Sequence, residues 1–137
     1  MSAYKRFALL LPLLLTFFPW EASAQDKLGG AHPSVTEATL LPRYCWSQFL
    51  GSKFKGPEFE IPRKTCGVGM NHYCPGLVAL GRANRSIDDK WRRGNLEIAE
   101  QGVAYTLRAM EKYPRCPIRG DVMRTYQLIK RELSVLQ

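Results

Sequence analysis

The sequence predicts a mainly α-helical domain, a small disulfide-stabilised helical hairpin carrying one long Gly/Pro-rich loop. Three observations lead there. Apolar residues recur at three- and four-residue steps through residues 95–113 and again through 117–136, the period of an amphipathic helix. Four cysteines, Cys45, Cys66, Cys74 and Cys116, follow a segment with the marks of an export signal. Residues 51–70 contain Gly51, Gly56, Pro57, Pro62, Gly67 and Gly69, which punctuate too often for a long regular element. At 137 residues the chain is one domain long. With 45% hydrophobic and 23% charged residues it is neither wholly disordered nor a multi-pass membrane protein.

Lys5 and Arg6 precede a twelve-residue apolar run at 7–18, and Ala22-Ser23-Ala24 ends the segment with small residues. Basic start, short greasy centre and small-x-small tail predict a signal peptide over 1–24. The run is too short to span a bilayer, which takes about 20 residues. Residues 25–34 are polar and Gly-rich and read as a flexible leader, leaving 35–137 as a single helical domain. These features predict a periplasmic or secreted protein with no membrane span once the signal is removed.

Within the domain, residues 35–41 are apolar enough to begin packing. Pro42 then opens a short aromatic helix carrying Tyr44, Cys45, Trp46, Phe49 and Leu50, which Gly51 ends. Phe54, Phe59 and Ile61 are apolar beads by which the following loop lies on the core. A helix begins near Cys74 and Pro75, with Leu77, Leu80 and Asn84 on one face. Residues 86–94 are polar and end in glycine, so they read as a connection, and Asn95 as the cap of the next helix. That helix carries Leu96, Ala99, Val103, Leu107 and Met110, and Pro114 stops it. Pro117 opens the last, striped by Ile118, Val122, Tyr126, Ile129, Leu133 and Leu136.

An even number of cysteines in a small exported chain predicts disulfides, because thiols outside the cytosol are not kept reduced. Three pairings are possible. Cys74 and Cys116 each open a helix, and two neighbouring helices would pair them, leaving Cys45 with Cys66. A second reading remains open: Cys66, Met70, His72 and Cys74 place two thiols, a thioether and an imidazole within nine residues, donors suited to copper or zinc in a redox or metal-handling protein.

Residues 74–136 resemble a tetratricopeptide-type repeat. Leu77, the Leu80-Gly81 pair and Asn84 stand at the first-helix positions of that motif, and Gly102, Ala109 and Pro114 at the second-helix positions. Ile118 onward would begin a following, incomplete unit. Leu77 stands where the motif carries tryptophan, Asn84 where it carries tyrosine, and residues 87–93 lengthen the unit. The resemblance implies paired helices with a protein-binding surface.

No GxSxG, HExxH, P-loop or dinucleotide motif occurs, and His72 with Cys74 is the one close base–nucleophile pair, so the sequence predicts no enzyme and no cofactor. Asp88-Asp89 and Glu58 with Glu60 read as solvated carboxylates. Arg82, Arg85, Lys90, Arg92 and Arg93 crowd around Trp91, and Trp46 adds a second candidate contact aromatic. The chain as a whole carries +8. Such a patch suits another protein or an anionic surface, whereas nucleic acid is a poor fit outside the cell interior. The sequence therefore predicts an exported protein-interaction module, an accessory subunit or adaptor of an envelope complex.

Overall fold

A computed structural model describes residues 32–136. The signal peptide and most of the leader lie outside these residues. Helix occupies 71% of the described residues, and none of them forms a strand.

Helix α1, Val35–Thr39, starts on a reciprocal cap: the Glu37 backbone N–H donates to Ser34 Oγ at 3.1 Å, and the Ser34 N–H donates to Glu37 Oε2 at 2.9 Å. After Pro42, a 3₁₀ turn at Arg43–Cys45 leads into α2, Trp46–Phe49. Turns and bends follow to residue 62. Helix α3, Arg63–Cys66, then ends at Gly67, whose φ of +82° an L side chain rarely adopts. A Cβ there would also lie 2.4 Å from the Tyr113 ring. A second 3₁₀ segment, Val68–His72, runs straight into α4, Tyr73–Arg85.

Helix α5, Asp89–Ala109, begins seven residues before the start that Asn95 suggested. Asp88 is the cap, its Oδ1 accepting from the Trp91 N–H at 2.8 Å. Asn95 lies inside the helix and donates from Nδ2 to the Trp91 carbonyl at 2.9 Å. The apparent stop at Gly94 fails because a single glycine costs a helix only about 1 kcal/mol. A 3₁₀ turn at Met110–Lys112 and a bend through Cys116 lead to α6, Arg119–Val135.

Helix α5 packs between α4 and α6 and runs antiparallel to both. Its Leu96, Ala99, Val103 and Thr106 are fully buried, as are Met110 just beyond it and Val122 and Ile129 of α6. The buried face of α4 differs from the expected one: Ala79, Leu80 and Ala83 are enclosed, whereas Leu77 is half-buried and Asn84 is exposed. The reason is the proximity of α5. A Cβ at Gly102 would sit 2.9 Å from the His72 carbonyl oxygen, and one at Gly76 would sit 3.0 Å from Val103 Cγ2. Small residues on α4 let the backbones meet, and the larger Leu77 turns aside.

The disulfides join Cys45 to Cys74 and Cys66 to Cys116. The pairing expected from side-by-side helix starts is overturned. Helix α5 makes most of the contacts to both α4 and α6, which meet each other at Tyr73 and Thr125, and the Val68–His72 segment lies against the end of α5, which brings Cys66 onto Cys116. Cys74 instead meets the α2 segment. Both bridges are buried.

Replacing Gly102 with alanine will destabilise the fold by about 1–3 kcal/mol, because the new methyl meets backbone. Gly94→Ala, which meets nothing within 4 Å, will stabilise it by about 0.5–1 kcal/mol. Urea unfolding of the two variants gives opposite shifts in midpoint. Removing Cys66 and Cys116 together will cost about 4 kcal/mol and removing Cys45 with Cys74 about 0.5 kcal/mol less, since the bridges span 50 and 29 residues.

Candidate functional site

The basic cluster seen in the sequence is divided by the fold. Arg82 grips Glu37 with two bonds, Nε to Oε1 at 2.8 Å and Nη2 to Oε2 at 3.2 Å, and Arg85 Nη2 reaches the same Oε1 at 2.9 Å. These contacts fasten α1 to α4. Arg92 is paired with Glu132 and fastens α5 to α6. Arg93 is half-buried, and Trp91 remains exposed beside Lys90. Successive helical residues are rotated by about 100°, so neighbours in sequence point in different directions.

Trp46 is not an open contact residue. It is half-buried, donates from Nε1 to the Leu41 carbonyl at 3.1 Å, and packs on Phe54 and Phe59 with ring centroids 5.3 and 6.0 Å away. The Arg43 guanidinium lies 4.8 Å from the Phe59 centroid and 5.6 Å from that of Trp46. This aromatic cluster holds residues 51–62 onto α2.

The metal reading loses its two thiols. Cys66 and Cys74 are bonded to different partners, and Met70 is buried in the core at 1% exposure. No group of three or more His, Cys, Asp or Glu side chains able to hold an ion occurs among the described residues. His72 packs on Tyr105, ring centroids 4.2 Å apart and planes tilted by 46°.

That ring pair opens the feature that sequence reasoning missed. A cleft of about 540 Å³ runs along the seam of α4 and α5, over the floor made by Gly76 and Gly102. His72, Pro75, Val78 and Arg82 form one wall, and Asn95, Ile98, Gln101, Tyr105 and Arg108 the other; His32, Gln48 and Phe49 overhang it. No carboxylate lines it. Arg82 stands at one end, and His72 with Arg108 at the other. The ten residues between His72 and Arg82 place these ends about 15 Å apart at 1.5 Å per residue. Arg108 makes no ion pair among the described residues. The signal was present: Asn95, Ile98, Gln101, Tyr105 and Arg108 recur at three- and four-residue steps, a polar–aromatic stripe beside the apolar one.

A second cleft, about 450 Å³, lies between α1, α4 and α6 and mixes signs, with Glu37 and Asp121 beside Arg85 and Arg124. Tyr73 lies beneath it. Its hydroxyl is 3.1 Å from Thr125 Oγ1, and burial pushes its phenol up. Burial does the same to Tyr44, whose ring stacks on that of Tyr73. Both are held protonated, which suits wall residues better than proton carriers.

Comparison with protein-family models, with curated proteins and with solved structures returns no match. Among the described residues no helix is long and apolar enough to cross a membrane, and the two buried bridges are compatible with a periplasmic or extracellular location.

The hydrogen bond from Arg82 holds the Glu37 carboxyl down from 4.5 to about 2. Its contribution to stability is complete above pH 4.5 and disappears as the pH falls toward 2. Glu37→Gln will therefore destabilise the protein at pH 7 by about 1 kcal/mol, the scale of a partly exposed pair. Urea unfolding from pH 5 down to pH 2 will show the wild-type advantage shrinking to nothing over that window.

Proposed function

We propose that this protein is an exported interaction module, an accessory subunit or adaptor of an envelope complex, and that the α4–α5 cleft holds an acidic segment of its partner. One observation carries the reading: Arg108 and two histidines line the cleft with no carboxylate among its walls, while Arg82 at its edge is shared with Glu37. Ile98, Val78 and Phe49 supply apolar contact between the charged ends, and the amides of Gln48, Asn95 and Gln101 can bond a partner's backbone. The covalent frame supports the same reading. A cleft floored by touching backbones and fastened by two bridges changes shape little, which lowers the ordering cost of binding.

The redox or metal-handling alternative has no comparable support, because its four donors do not converge. The aromatic Trp46 leaves the proposed contact set, and Arg82 stays in it at the cleft's edge.

A scan of the oxidised protein over an immobilised array of acidic, basic and neutral peptides tests the reading. Acidic sequences with interspersed aliphatic residues will bind, and Arg108→Glu will weaken them by about tenfold, as loss and reversal of a positioned charge does. Arg131→Glu, the same charge change on α6, will leave binding within about twofold. Indifference of the array to acidic residues, or an equal loss in both variants, would remove this function.

A further inference from the structure

The connection between α4 and α5 carries a feature that neither the core nor the cleft uses. Ser86 and Asp88 are extended on either side of Ile87, whose side chain is 102% exposed. One helical turn later Trp91 is 62% exposed. Turns are ordinarily made of Gly, Pro, Asn, Asp or Ser, and an isoleucine there gains nothing from water. Both residues are exposed at the end of the α4–α5 hairpin. A protein socket for such a tip needs a matching cavity, whereas a fluid bilayer closes around it without one.

The charges nearby favour one kind of bilayer. Residues 84–93 hold Arg85, Lys90, Arg92 and Arg93 against Asp88 and Asp89. The Asp88 carboxylate caps α5, and Arg85 and Arg92 are engaged by Glu37 and Glu132, so Lys90 and Arg93 stand against Asp89. Lys90 is exposed beside the two apolar side chains. Beyond the proposed signal the chain retains 18 basic and 11 acidic residues, so the approach of the whole domain to a negative surface is favoured. Tryptophan prefers the headgroup level of a membrane, an aliphatic side chain inserts just below it, and cations at the rim attract anionic lipid.

We infer that the α4–α5 tip is a docking point for an anionic membrane surface, with Ile87 as the inserted wedge, Trp91 as the interfacial anchor and Lys90 as a headgroup contact. The site is separate from the Arg108 end of the cleft, so the two proposals stand or fall by different measurements.

Vesicle flotation tests it, using the oxidised chain without residues 1–24. Among the described residues the buried core lies between Ala38 and Ile129, and both bridges lie within that span. The protein will float with vesicles of phosphatidylcholine containing roughly one-third phosphatidylglycerol, and will release as salt shortens the screening length. Ile87→Ser combined with Trp91→Ser will reduce flotation by about tenfold, and Lys90→Glu by a smaller factor. Val68→Ser, which alters an equally exposed apolar residue far from the tip, will not change it. Circular dichroism will show the same helix content in all four proteins. Equal flotation on pure phosphatidylcholine overturns the inference, as does full flotation of the double variant. Sedimentation velocity adds a third way to overturn it: a wild-type dimer that the double variant dissolves would assign the tip to a second copy of the chain instead.

Discussion

Backbone-to-backbone contact between α4 and α5, at Gly76 and Gly102, sets the position of the other helices. The close approach makes α5 the central helix, flanked by α4 and α6. It presses the Val68–His72 segment against the last turns of α5, where Gly69 leaves no room for a methyl beside Ala109. It also fixes which cysteines can meet. Apolar burial supplies the driving force in this fold as in others, but the geometry follows from where side chains are missing. Each glycine on the seam is weak as a helix former, and the two together are tolerated because the contact they permit is worth more than the propensity they forfeit.

Charge is used in two ways on this framework. Glu37, Glu100 and Glu132 each take cations from a neighbouring helix and tie α1, α5 and α6 into place. With those carboxylates committed to the struts between helices, the seam of α4 and α5 keeps Arg108, His32 and His72 without an acidic neighbour in the cleft, while Arg82 is held by Glu37. The proposed binding surface is thus partly a by-product of how the helices are fastened. The pairs are individually modest because their members are partly solvated, yet they decide which cations face outward.

The long stripes were legible in the sequence because helical period is a local property. Leu96, Ala99, Val103 and Met110 lie on the buried side of α5 and its continuation, and Val122 and Ile129 on that of α6. The start of α5 was not legible from Gly94, since a glycine's small local penalty is outweighed by packing that only the folded chain provides. The Ser34–Glu37 cap was readable as a Ser-x-x-Glu pattern, and was obscured by the polar leader before it. Bridge pairing lay beyond the sequence because it depends on which helix stands in the middle. The basic cluster misled for a related reason: Arg82, Arg85 and Arg92 are close in number, but their partners are 45, 48 and 40 residues away.

The two bridges interleave along the chain: Cys66 lies inside the loop closed by Cys45 and Cys74, and Cys74 inside the loop closed by Cys66 and Cys116. A polypeptide delivered amino-terminus first presents Cys45 and Cys66 together before either native partner has emerged. An oxidant acting at once would join that mistaken couple, and its correction would require thiolate attack on the wrong link. Correct maturation thus calls for sulfur chemistry slower than delivery, or for an isomerase that reshuffles afterwards. The order in which the chain arrives opposes the order in which its sulfurs must finally be matched.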